Sequence, residues 1–330
     1  MKKKLLGILF FISFGCLATQ NEINLITDRS DFHINTMVED FQKKHNIKVN
    51  VDFVKKGIIE KSKSGTYDVM ISKDSSEVVA TSDLGMLKPI SEKTLKNIPK
   101  EFKDNKNRSW FLMSYRIRAI HVRKDVTDIP VTYTDLAKPQ YKNRICIRSL
   151  TDNYNLELFG TMLSDMGEEK FTEWFKNFKS NLSRDPVGND RNQVQAVYNK
   201  ICDIAIVNTY YRGLMLEDPE QKSWAESTVM YIPDQGKKDN GAIALFAGVG
   251  IMSNNPNNEK LLDYLISDNV QKELSLYNYE NPINSKNTSE TVKTYGIAQG
   301  LNYKSIKLHK NIQNELVDYK KKVYFIIKSN

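Results

Sequence analysis

Two long stretches that are predicted to be extended strands, residues 110–122 and 242–252, constrain the fold of this chain more strongly than any other feature. A typical strand has about five or six residues, so each stretch is long enough to leave one β-sheet and enter another. Around them, short apolar runs alternate with segments of helical periodicity, a pattern typical of α/β proteins. We therefore predict two α/β lobes with mixed sheets, each discontinuous in sequence and joined to the other by a two-strand hinge.

The length of the chain agrees with two lobes, because 330 residues exceed the roughly 150 of a typical domain. We assign residues 19–116 and 241–291 to the N-terminal lobe and residues 117–240 and 292–330 to the C-terminal lobe. Further strands are predicted at residues 23–27, 47–53, 67–72, 144–148 and 203–207. Helices are predicted at residues 36–45, 156–166, 190–201, 257–277 and 305–319.

The N-terminus has the features of an export signal. Lysines at positions 2–4 precede an apolar stretch at 5–15, which is too short for a stable membrane span. Small residues follow, so we predict a secretory signal peptide at residues 1–18 and a periplasmic location. Cleavage after Ala18 would free a soluble protein, whereas cleavage before Cys16 would leave a lipid anchor on that cysteine. We favour the soluble form and keep the anchored form as the alternative.

Composition excludes some classes of partner. The net charge of +8 includes three lysines of the predicted export signal, so the exported chain carries a mild charge of about +5, and basic and acidic residues are mixed along it; we therefore expect no nucleic-acid partner. With 40% hydrophobic and 27% charged residues, the chain has an ordinary globular composition. No later stretch approaches the ~20 apolar residues of a membrane helix.

Two cysteines remain after the export signal, Cys146 and Cys202. An oxidising compartment permits a bridge between them. Neither cysteine lies in a metal-ligand spacing such as Cys-x-x-Cys, and the interpretation we favour is two separate buried thiols.

No enzymatic motif stands out. The sequence contains no recognisable Ser-His-Asp, Cys-His or glycine-rich phosphate pattern. We therefore expect a binding protein and not an enzyme.

The most informative segment is residues 207–213, Val-Asn-Thr-Tyr-Tyr-Arg-Gly. Tyr210 and Tyr211 come directly after an apolar strand, and ligand sites of α/β sheets lie beyond the carboxyl ends of strands. Both phenols can point into one cleft; alternatively, one ring packs in the core and the other is exposed. The residues alone leave both interpretations open.

The run Asn208-Thr209-Tyr210-Tyr211 resembles the signature of periplasmic ferric-iron-binding proteins, the substrate-binding subunits of bacterial iron(III) ABC importers. Residues 188–193, Gly-Asn-Asp-Arg-Asn-Gln, resemble the family's Gly-Gly-Asp-Arg-Asp-Gln run at the expected distance upstream. Further segments also fit the family and extend the resemblance over nearly the whole exported chain: Ile147-Arg148-Ser149 with Tyr154, Trp110-Phe111 with Arg116-Ile117-Arg118, Asp68-Val69-Met70 with Asp74, and Asn281-Pro282-Ile283.

The resemblance implies the type II fold of periplasmic binding proteins and a ferric-iron site of the tyrosine-rich branch. By the resemblance, Tyr154, Tyr210 and Tyr211 are the ligands of Fe(3+), and Arg116 supports them or holds a synergistic anion such as carbonate. Ferric iron is a hard trivalent ion that prefers anionic oxygen, and three phenolates would balance its charge. The implied partners are an inner-membrane ABC permease and its ATPase, with the binding protein itself a monomer.

The sequence departs from the family in the first lobe. The family places a His-Tyr pair shortly after the first strand, but the aligned positions here are Ser30 and Asp31. His33 lies two residues further on. The ligand from this lobe is therefore open between Asp31, His33, an exogenous anion and water.

Two other functions remain as alternatives. The same fold could bind another solute, such as a polyamine, thiamine or an oxyanion, which would require acidic and aromatic walls or a helix N-terminus in place of clustered phenols. A surface lipoprotein without a transport role is the second alternative.

Overall fold

The structure is a computed structural model that describes residues 21–329, apart from the side chains of Phe32 and His33. The predicted signal peptide at residues 1–18, including Cys16, lies outside this range. Among the helices of the described residues, none combines the length and the apolar character needed to cross a membrane.

Residues 21–329 contain nine strands. They are β1 (Glu22–Thr27), β2 (Lys48–Phe53), β3 (Val69–Ser72), β4 (Trp110–Arg123), β5 (Ile145–Cys146), β6 (Ile204–Asn208), β7 (Thr228–Tyr231), β8 (Ala244–Ile251) and β9 (Asn281–Pro282).

The same residues form thirteen α-helices and six short 3-10 turns. The helices are α1 (Asp31–His45), α2 (Ile58–Lys63), α3 (Ser75–Asp83), α4 (Glu92–Leu95), α5 (Asn153–Met166), α6 (Glu168–Ser180), α7 (Asp190–Tyr198), α8 (Tyr210–Glu217), α9 (Lys222–Glu226), α10 (Asn258–Leu265), α11 (Asp268–Tyr277), α12 (Glu290–Lys293) and α13 (Gln313–Ser329). The 3-10 turns are Lys100–Phe102, Thr134–Ala137, Pro139–Tyr141, Ser285–Asn287, Ile297–Gln299 and Tyr303–Ser305.

Strand β4 belongs to two sheets. Its first half, from Trp110 to Ile117, pairs antiparallel with β8, and its second half, from Arg118 to Arg123, pairs with β6 and β7. The strand order is therefore β2-β1-β3-β8-β4-β6-β5, with β7 and β9 also paired to β4. Because parallel pairs (β1 with β2 and β3, β5 with β6) accompany these antiparallel ones, both sheets are mixed.

Each sheet has its own apolar core. In the first lobe, defined as the sheet of β1, β2, β3, β8 and the first half of β4 with its helices, Phe41 and Phe111 are among the fully buried residues. In the second lobe, built on β5, β6, β7 and the second half of β4, the largest cluster includes Phe159 and the aromatic face of α6. The prediction of two α/β lobes with mixed sheets is confirmed, whereas the residue numbers given above for their boundaries stay a prediction.

The last helix, α13, contacts both lobes. It packs along α5 in the second lobe and also contacts α3 in the first. Lys320 donates to the buried carboxylate of Asp74 at 2.5 Å and to the hydroxyl of Ser76 at 2.8 Å. Nearby Glu157 is 1% exposed, and burial, with the adjacent charge of Asp74, raises its pKa well above the usual value.

Two helix predictions need correction. The predicted helix at 305–319 begins at Gln313 instead and continues to Ser329, because the preceding segment forms a 3-10 turn and pairs with residue 242 through Leu308. The helical segment predicted at 257–277 is two helices, since Ser267 caps the second of them and interrupts the first.

The expectation of two separate thiols is wrong. Cys146 and Cys202 form a disulfide, and their Cα atoms are 5.9 Å apart. Cys146 ends β5, and Cys202 lies two residues before the parallel neighbour β6, so sheet pairing brings the two thiols together.

We expect replacement of both cysteines by serine to lower the stability of the second lobe. The bridge closes a loop of 56 residues, and a loop of that size contributes about 4 kcal/mol in the chain-entropy model. Urea unfolding monitored by circular dichroism measures the loss, and wild-type protein kept reduced is the matched control. Unchanged unfolding midpoints in both samples would contradict the prediction.

Candidate functional site

A cleft of about 890 Å³ lies between the two lobes, at the carboxyl ends of strands from both sheets. Its lining residues in the first lobe lie at or just after the ends of β1, β2 and β3. They are Asp28, Arg29, Ser30, Asp31, Phe53, Val54, Lys55 and Lys73. The remaining lining residues come from β4, α5, α7, α8 and the segment before β9: Arg116, Tyr154, Arg191, Tyr210, Tyr211, Leu214 and Glu280.

The cleft brings together the three tyrosines singled out by sequence. Tyr210 and Tyr211 open helix α8, and their ring centroids lie 4.1 Å apart. Tyr154 is the second residue of α5, where its backbone N–H donates to the cap residue Asp152 at 3.0 Å. Tyr210 is 5% exposed, and the other two rings are half-buried. The choice left open by the sequence is thus settled geometrically: both adjacent phenols line one cleft.

Burial makes ionisation of two of these phenols less favourable. It raises the pKa of Tyr210 well above the ordinary value of 10, and Tyr154 and Tyr211 add to the rise. Burial also raises the pKa of Tyr211, with smaller contributions from Tyr154 and the carboxylate of Asp190. Around neutral pH, Tyr210 and Tyr211 are therefore neutral hydroxyls that ionise only if a cation displaces their protons.

Arginines surround the phenols. The Cζ atom of Arg116 lies 5.1 Å from the ring centroid of Tyr154, and that of Arg148 lies 4.9 Å from the same ring. The Cζ atom of Arg191 lies 6.0 Å from the ring centroid of Tyr211. Such distances are within the range of cation–π contact. The guanidinium groups favour negative charge on the phenol oxygens and attract an anion to the cleft.

Arg116 is fully buried, and only part of its hydrogen-bonding capacity is used. Its Nη2 donates to the carbonyl of Lys73 at 2.5 Å, while its Nε has no partner among residues 21–329. Burial opposes its positive charge, but the nearby Tyr154, Glu157 and Glu280 outweigh burial and raise its pKa. Arg116 is therefore a permanent cation at the wall of the cleft.

The first-lobe side of the cleft carries both signs of charge. Asp31 lies in the first turn of α1, where the helix dipole favours a carboxylate. The side chain of His33 is outside the described residues. Arg29 is buried, and its Nη2 lies 2.8 Å from Oε1 of Glu280. The Nζ atom of Lys73 lies 3.5 Å from Oδ2 of Asp28.

Sequence reasoning missed several charged residues of the cleft. Arg29 and Glu280 are 251 positions apart, so no local pattern could pair them. Arg191 lies within the Gly-Asn-Asp-Arg-Asn-Gln run, and that run was the available signal for it. Chemically, the cleft offers three phenol oxygens for a hard cation beside guanidinium groups that suit an accompanying anion.

Known proteins share this sequence and fold. The model of the family described as bacterial extracellular solute-binding protein matches residues 64–297, more than half of the chain. Iron uptake protein A1 of Synechocystis is 32% identical over 276 residues, which are 80% of this chain and 76% of that protein.

Solved structures extend the similarity to nearly the whole chain. The apo ferric ion-binding protein A of Pasteurella haemolytica superimposes with a TM-score of 0.82 at 32% identity, covering 94% of this chain and 97% of that one. The Trichodesmium protein IdiA (FutA), in complex with iron and citrate, gives a TM-score of 0.82 at 30% identity, and the match covers 93% of this chain and 98% of that one. The chain therefore belongs to the bacterial extracellular solute-binding proteins, in the group that includes these iron uptake and ferric-binding relatives.

Proposed function

We propose that this protein binds ferric iron in the periplasm through Tyr154, Tyr210 and Tyr211 and delivers it to an inner-membrane ABC permease and its ATPase. The observation that carries the proposal is the convergence of three phenols and the guanidinium of Arg116 on one cleft. The relatives named above, which include an iron uptake protein and an iron-bound structure, support it. The protein acts as a monomeric carrier and not as an enzyme, with Cys16 as its lipid anchor if cleavage precedes that residue.

Charge balance explains why this cleft suits Fe(3+). The ion displaces the protons of the phenols that it coordinates, as metals do with bound water and thiols. Three phenolates then cancel the three positive charges of the ion. They occupy about half of an octahedral shell, and an anion beside Arg116, such as carbonate, completes most of the remainder.

The first prediction tests the phenols. Replacing Tyr154, Tyr210 or Tyr211 by phenylalanine removes one anionic ligand and keeps the ring. We expect each variant to weaken ferric binding about a hundredfold or more (~2.7 kcal/mol) and to shift or abolish the visible phenolate-to-iron charge-transfer band. Titration with ferric citrate, followed by absorption spectroscopy, measures both effects.

Tyr115 provides the matched control for these variants. It is a half-buried tyrosine that packs against Phe102 and Phe246, outside the lining of the cleft. Tyr115→Phe should keep the wild-type band and affinity. If Tyr210→Phe and Tyr211→Phe also keep them, the assignment of ligands is wrong.

The second prediction concerns pH. The raised pKa values of Tyr210 and Tyr211 keep both phenols protonated throughout pH 6–8, so each coordinated phenol must release one proton. At a fixed concentration of free Fe(3+), affinity should therefore rise with pH, by up to about tenfold per unit for each phenol. Citrate competition at several pH values measures the slope, and a slope near zero would rule out phenolate ligation.

The third prediction concerns the first lobe. Ser30 and Asp31 stand where the family has its His-Tyr pair, so we expect an anion or water to provide most of the remaining coordination. Asp31→Ala and His33→Ala should each lose less than about tenfold in affinity (~1.4 kcal/mol), while omission of bicarbonate weakens the wild type clearly. A hundredfold loss in either variant would identify that side chain as a true ligand and overturn the anion model.

A further inference from the structure

A fully buried ion pair lies behind the three tyrosines. Arg118 and Asp190 are both 0% exposed, and Nη1 of the arginine donates to Oδ2 of the aspartate at 2.7 Å. Arg118 is two residues beyond Arg116 on β4, and Asp190 is the first residue of α7. Burial of such a pair is costly unless further hydrogen bonds satisfy both groups, so its other partners indicate what it holds in place.

The guanidinium of Arg118 joins the two segments that carry the phenols. Its Nη2 donates to Oδ1 of Asn155 at 2.9 Å, and Asn155 is the neighbour of Tyr154 in α5. Its Nη1 also donates to Oδ1 of Asn208 at 3.1 Å, at the end of β6 and two residues before Tyr210. One planar group therefore spans two segments that are more than fifty residues apart in sequence.

Asp190 completes the connection on the other side. Its Oδ2 accepts the backbone N–H of Asn208 at 2.8 Å, and its Oδ1 lies 3.5 Å from Nη1 of Arg148. Arg148 is the residue whose guanidinium packs on the ring of Tyr154 at 4.9 Å. The ion pair is thus linked to Tyr154 in two ways, through Asn155 and through Arg148. It is linked to the Tyr210–Tyr211 turn by two hydrogen bonds to Asn208.

We propose that Arg118 and Asp190 are positioning residues that fix the three phenols relative to one another before the metal arrives. The inference rests on the proposed function, because it concerns the geometry of the same site. Neither residue lines the cleft, so they act through Asn155, Asn208 and Arg148. A lysine at position 118 would keep the charge but could not bridge both asparagines, since its single nitrogen lacks the planar fork of arginine.

The test compares Arg118→Lys and Asn155→Ala with a matched control, Arg123→Lys. Arg123 lies on the same strand and forms an ion pair with Asp203 at 2.5 Å, outside the set of residues that line the cleft. Iron affinity by citrate competition, the wavelength of the charge-transfer band and the electron paramagnetic resonance spectrum of Fe(3+) are measured on each purified protein. Circular dichroism and a thermal melt confirm that each variant is folded.

We expect Arg118→Lys and Asn155→Ala to weaken iron binding about tenfold or more, with a shifted band and a broadened resonance signal, because the phenols no longer hold one arrangement. Arg123→Lys should leave all three readouts unchanged. If Arg118→Lys fails to fold, Asn155→Ala still tests the link to Tyr154, because it leaves the ion pair intact.

The outcomes separate this inference from the proposed function. A wild-type protein that shows the band, together with folded variants whose band, signal and affinity equal those of the wild type, would overturn the positioning role and leave the iron site standing. A purely structural role would lower the melting temperature without moving the band, and that result also counts against the inference. Absence of the band in the wild type would contradict both proposals.

Discussion

The arrangement of this protein depends on one strand being hydrogen-bonded in two sheets. Because β4 pairs with β8 along its first half and with β6 and β7 along its second, the lobes meet where the strand changes partners. Arg116 and Arg118 lie at this junction. The loops after β1 and β3 and the turn after β6 consequently face each other across the cleft, and phenols distant in sequence reach the same volume.

The electrostatic character of the cleft comes from arginine side chains that lie next to neutral phenols. Burial alone would make phenolates unfavourable in Tyr210 and Tyr211. Arg116, Arg148 and Arg191 reduce that penalty when charge develops, and they remain as counter-charges if an anion enters with the metal. Under the proposed function, the charge of Fe(3+) supplies the remaining free energy needed to ionise these phenols.

The features that could be predicted from the sequence are those that a local pattern of residues encodes, such as individual strands and the turns that follow them. The two long predicted strands indicated the two-sheet architecture, and the position of the adjacent tyrosines after an apolar strand identified two residues that line the cleft. Pairings between distant segments were not predictable, because periodicity carries no information about which strands become neighbours. The bridge between Cys146 and Cys202 depends on the pairing of β5 with β6, and the ion pair of Arg29 with Glu280 depends on the packing of segments 251 positions apart.

The contact of α13 with α3 has a consequence for how the lobes can move. Asp74 is fully buried and paired with Lys320 of the last helix, so a movement that separated these helices would break a buried ion pair, at a cost in free energy. Rotations that preserve this contact avoid that penalty. We therefore expect the C-terminal helix to favour opening movements that keep this contact, and a truncation before residue 320 would remove that preference while leaving every tyrosine of the cleft in the chain.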